Sequence, residues 1–199
     1  MRMPNAATVV ILTATVGLSA SASGADDPLA RLIGSKVGNS ICFSRTYDAT
    51  HLNRIPGQAT TAVLLSLRYD ENDVPAIRIA LSQKGKPVRY VVGDCHWSQE
   101  VNRDIAGKRL IKAFTKDAGF QCMAMMQRDS AEEGGDFPLD LQPDGTTLTL
   151  YLDDSIGAFA STDTRRQATR IKLGRDDRIF RLNRTDAGQC REMERGLER

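Results

Sequence analysis

Apolar and polar residues alternate with a period of two through most of the chain beyond residue 35, the mark of strands with one buried face. Residues 40–47 place Ile41, Phe43, Arg45 and Tyr47 on one side, and 76–81 do the same with Ile77, Ile79 and Leu81. The run 61–69 is dense in Val and Leu, and 88–92 is a fourth strand candidate. Pro56-Gly57, Gly85-Lys86-Pro87 and Gly93-Asp94 supply turn chemistry around these runs. Further along, 121–127, 139–141, 146–152, 169–173 and 178–182 read as strands, with Asp176-Asp177 turning the chain between the last two. Helical patterning is scarce. Residues 29–33 make a turn or two before Gly34, 106–114 fit a helix or a strand, and 192–199 read as a polar tail with some helical character.

Strands in this number must bury one face, so the expected fold is all-β, an antiparallel barrel or sandwich of about 8–10 strands. The barrel is preferred because closure removes exposed strand edges.

A weak internal repeat runs through the same region. Cys42 corresponds to Cys122, residues 56–67 to 143–152, and 76–81 to 168–173, and each half closes on a cysteine, Cys95 or Cys190. One β domain over 26–199, made of similar halves at about 35–97 and 115–190, is therefore expected. Equivalent halves would each be stapled end to end, which predicts disulfides Cys42–Cys95 and Cys122–Cys190.

The beginning of the chain differs. Arg2 precedes an apolar run from Ala6 to Leu18, followed by small residues up to Ala25 and then Asp26-Asp27. This is the signal-peptide pattern, and the apolar run is too short for a stable transmembrane anchor, so residues 1–25 are expected to be removed. The destination is the periplasm or the cell exterior, where four cysteines in the remainder would pair oxidatively. Their wide spacing matches neither a zinc site nor a redox pair.

Chemistry is harder to locate. The chain has two histidines, His51 and His96, so a His-rich metal site is excluded, and no Gly-x-Ser-x-Gly elbow accompanies the many Ser and Asp. Neither a catalytic residue, a metal nor a cofactor is expected. Trp97 reads as a packing residue, and Met123, Met125 and Met126 beside Cys122 read as flexible core packing rather than a soft-metal site. Charge is uneven: nine acids and no Lys or Arg lie between Asp129 and Thr164, and eleven Lys or Arg follow from Arg165 onward. The overall balance is only +2, and acids interrupt the basic run, so nucleic acid is not an expected partner.

Polar loops on a rigid scaffold are where binding usually sits. On that ground His51, Arg54, Glu132, Glu133, Asp136, Arg165 and Arg166 are the candidate binding residues. The expected function is that of a non-enzymatic, disulfide-stabilised module for an envelope protein or glycan, an enzyme that it inhibits being one such protein. Two alternatives compete with it. One is a small-molecule or lipid carrier, with a cavity lined by the inward residues of 63–67 and 77–81. The other is a hydrolase built on carboxylates brought together from distant strands.

Overall fold

In a computed structural model, residues 27–70, 74–101, 114, 116–127 and 133–197 are described. The expected signal peptide, Glu132, and 106–114 apart from Phe114 lie outside these residues. The strands are β1 (Ser40–Thr46), β2 (Thr60–Tyr69), β3 (Pro75–Gln83), β4 (Arg89–Ser98), β5 (Gly119–Met125), β6 (Glu133–Leu141), β7 (Thr147–Tyr151), β8 (Ser155–Ala158), β9 (Thr169–Lys172) and β10 (Ile179–Arg184). The helices are α1 (Pro28–Ile33), α2 (Ala49–Arg54) and α3 (Ala187–Leu197).

Eight antiparallel strands close into a barrel in the order β1-β10-β7-β6-β5-β4-β3-β2, and β8 and β9 form a separate hairpin. The barrel is thus a simple meander, interrupted between β7 and β10 by the hairpin. Alternation places Ile41 and Phe43 of β1, Leu65 and Leu67 of β2, Ile77, Ile79 and Leu81 of β3, and Phe180 and Leu182 of β10 in one core. Phe43, Phe120, Phe137 and Phe180 fill it. Each such side chain contributes about 1.5–3 kcal/mol by leaving water. Gly93 lets β4 approach β5 closely, since a Cβ there would lie 2.1 Å from the Met123 carbonyl oxygen.

α1 closes the end of the barrel from which β1 departs. Asp27 caps it by accepting from the Leu29 amide at 2.8 Å, Pro28 suits its first turn, and Leu29 is fully buried in the barrel core. The Tyr69 hydroxyl donates to the other Asp27 oxygen at 2.6 Å, which ties the helix to β2. Around the opposite end lie α2 and the segment carrying β8 and β9, whose Ile156 and Ala158 join the core.

The two disulfides are Cys42–Cys190 and Cys95–Cys122, not the end-to-end pairs expected from the repeat. The reason is the pleat. Ile41 and Phe43 point inward, so Cys42 between them points outward, whereas Cys95 lies inside the barrel. Cys95 and Cys122 face each other as register partners on β4 and β5, and Cys42 meets Cys190 on α3 outside the wall. Nor does the barrel show the repeat. The segments matched in sequence occupy β2 and β7, and then β3 and β9, which are not equivalent places in a barrel of four strands plus four.

Two smaller expectations change and a third holds. Gly93-Asp94 is no turn but the middle of β4. Of the methionines, Met126 is buried against Phe159 and Ala168, but Met123 is 40 % exposed on the outer wall. Trp97 does pack, edge-on against Phe120 with ring centroids 5.2 Å apart.

The chain end is the largest difference. The expected polar tail is the amphipathic helix α3, which buries Cys190, Met193, Glu194 and Leu197 at helical spacing. Eleven residues including Gly188 and Gly196 would not hold a helix alone. It forms because its apolar face lies on the barrel and the Cys42–Cys190 bond holds it there.

Candidate functional site

The outer wall of β1–β4 is ordered in rows of register partners. Cys42, Ser66, Arg78 and Val92 form one row; Ser44, Leu64, Ala80 and Tyr90 form the next; Thr46, Ala62 and Ser82 form a third. α3 belongs with the first row. Cys190 bonds Cys42, the Ser66 hydroxyl donates to a Glu194 carboxylate oxygen, and Leu197 shares a cluster with Val92. Arg68 lies 3.9 Å from the other Glu194 oxygen.

The second row is partly covered, since Leu64, Ala80 and Tyr90 pack against the cluster of Cys42, Cys190, Met193 and Leu197, and what it and the third row leave uncovered is the floor of a groove of about 500 Å³. Small side chains at Ser44, Ala62, Ala80 and Ser82 leave this space, where long ones would fill it. Gln189, Glu192 and Met193 of α3 form one wall, and Thr162, beside the end of that helix, also lines the groove. Gly196 permits that meeting of helix and loop, since a Cβ there would come within 2.8 Å of Thr162. The lining mixes hydroxyls, an amide and a carboxylate with Leu64, Tyr90 and Met193.

The residues expected from sequence to bind lie elsewhere, on three different elements. His51 and Arg54 sit on α2. The His51 ring stacks on Tyr47 at 4.7 Å and its Nε2 is 3.1 Å from Gln58 Oε1, while Arg54 Nε donates to the Thr50 carbonyl. Glu133 begins β6, where its carbonyl accepts from Arg170 at 2.9 Å, and Asp136 lies three residues on along the same strand. Arg165 and Arg166 are exposed between β8 and β9 and reach Asp163 at 2.9 and 3.6 Å. Each group is tied to its own surroundings, and the structure does not bring the three together. None of them lines the groove.

The groove is not legible in the sequence, where its helical wall reads as a polar tail. The alternation of Ser44, Ala62, Ala80 and Ser82 with large inward residues is the signal available for its floor.

Two carboxylates on the outer wall have shifted acidities. Burial raises Asp94 above the usual carboxylate value, the Asp70 charge raises it further, and Arg78 partly offsets both. Burial and then Glu133 raise Asp136, with His96 opposing. A carboxyl whose folded value is raised holds its proton more readily in the folded protein, so it subtracts stability as pH climbs from the unfolded value of about 3.9 through the folded one. Asp94→Asn is therefore expected to flatten the fall in stability between acid and neutral pH. Urea unfolding of wild type and variant across that range checks it, and parallel curves would refute it.

Among the described residues no group of three or more His, Cys, Asp or Glu is placed to hold a metal ion, and no helix is long and apolar enough to cross a membrane. Comparison with protein-family models, curated proteins and solved structures gives no match.

Proposed function

We propose that this protein is an exported binding module of the cell envelope or exterior, and that its contact surface is the outer-wall groove. The observation that carries this reading is the groove itself, floored by small outward residues and walled by a helix that a disulfide holds in place. The pairing of all four cysteines supports an oxidising destination. The carrier alternative is weakened by the core. Val63, Leu65, Leu67, Ile77, Ile79 and Leu81, which were to line a cavity, are at most 1 % exposed and pack together with the barrel's phenylalanines.

Ala80→Trp tests the proposal, because it puts a bulky side chain on the groove floor, on the outer face of β3 away from the barrel interior. Wild-type protein is expected to co-sediment with isolated cell-envelope material. The variant, shown by circular dichroism to be folded, should lose at least tenfold of that affinity. Undiminished binding by a folded variant would refute the groove as the contact surface.

A further inference from the structure

We infer that the occupant of the groove is an uncharged, hydroxyl-bearing saccharide chain, an inference that rests on the groove being the contact surface. Charge comes first. Among the described residues the lining holds no Lys or Arg, and its one charged side chain is the carboxylate of Glu192. An anionic chain, whether nucleic acid, acidic peptide or polyuronate, finds no cation here and meets a like charge.

The second argument concerns the backbone. The floor strands β1–β4 are laddered to one another, and β1 and β4 are paired again to β10 and β5. A peptide laid in the groove therefore finds no free strand edge to extend, the mode that gives extended peptides their main-chain hydrogen bonds. Binding must rest on side chains alone.

Those side chains match a sugar. Ser44, Thr46, Ser82 and Thr162 offer hydroxyls that donate and accept, and Gln189 offers an amide that does both. Tyr90 lines the same floor, half-buried between the α3 cluster and the cluster of Met126, Phe159 and Ala168. Four adjacent strands span about 14 Å, enough for a short oligosaccharide rather than a monosaccharide.

The test is calorimetric titration of the purified protein with chitotetraose and maltotetraose, both uncharged, and with tetragalacturonate as the anionic counterpart. At least one neutral sugar should bind saturably. Ala80→Trp and Tyr90→Ala should each weaken it tenfold or more in protein that circular dichroism shows to be folded, and tetragalacturonate should not bind. Ser82→Leu serves as a further floor variant if either of these fails to fold. If neither neutral sugar binds, or tetragalacturonate binds as tightly, the saccharide inference is overturned. Envelope binding that Ala80→Trp still abolishes would then leave the groove standing with a different occupant. Loss of that sensitivity would remove the groove reading as well.

Discussion

Replacing Cys42 and Cys190 together with alanine is expected to lower the unfolding free energy by about 3–5 kcal/mol. The bond closes a sequence separation of 148 residues, against 27 for Cys95–Cys122, so in the chain-entropy account it restricts the unfolded chain more. It also sits where the barrel is weakest. β1 and β10 meet through two register pairs, Phe43–Arg184 and Ser44–Asn183, extended by the Thr185 amide donating to the Cys42 carbonyl at 2.9 Å. The other barrel seams have three register pairs or more. The disulfide thus ties β1 to the helix that follows β10, and it holds α3 against β1 and β2. Hydrogen exchange should show the first loss of protection in β1, β10 and α3, with β3–β6 retained. A uniform loss across all strands, or a change below about 1 kcal/mol, would contradict this role. Because α3 walls the groove, the same variant should lose ligand binding before it unfolds.

Asp177→Ala is expected to cost about 2–4 kcal/mol. This carboxylate is 1 % exposed and lies in the turn between β9 and β10. It accepts from the Ala59 amide at 2.9 Å and the Thr60 amide at 2.7 Å, at the entry to β2. Alanine would leave both donors without that partner in a buried setting, and an unmet buried donor is costlier than a hydrogen bond is worth. Asp177→Asn keeps an acceptor oxygen and should lose roughly half as much. Denaturant unfolding gives the magnitudes, and exchange at the Ala59 and Thr60 amides locates the change. Equal losses for the two variants would mean that charge, not acceptor geometry, sets the contribution.

Asp177 also illustrates what was legible in the sequence. Asp176-Asp177 was readable as a turn from local chemistry, and the structure has that turn, with the Asp177 amide donating to the Gly174 carbonyl at 3.0 Å. That the side chain would reach back more than a hundred residues to β2 was not readable, because no local pattern encodes a contact across the barrel. The strands of the first half were clear for a related reason. Ile41-Phe43 and Ile77-Ile79-Leu81 alternate cleanly because one face of each is in the core and the other faces out. β8 escaped notice because it is four residues long and includes Gly157. The disulfides were misread because pairing depends on which side of the wall a cysteine faces. Strand alternation puts Cys42 outward between Ile41 and Phe43, on the opposite side of the wall from Cys95, and the apparent repeat carries no such information. α3 reads as a polar tail because the charged Arg191, Glu192, Glu194 and Arg195 outnumber the apolar Met193 and Leu197. Only the 190, 193, 194, 197 spacing reveals its apolar stripe. The groove lies between that helix and the small outward residues of β1–β3.

The account turns on where the molecule meets its ligand, and hydroxyl-radical footprinting of the purified protein with and without solubilised cell-envelope material tests that directly. Tyr90 lies on the groove floor, and Met123, exposed on the wall at β5, is an internal control outside the lining. The account predicts that oxidation of Tyr90 falls when envelope material is added while oxidation of Met123 does not change. Protection of Met123 with Tyr90 unaffected would place the contact on another face and contradict it.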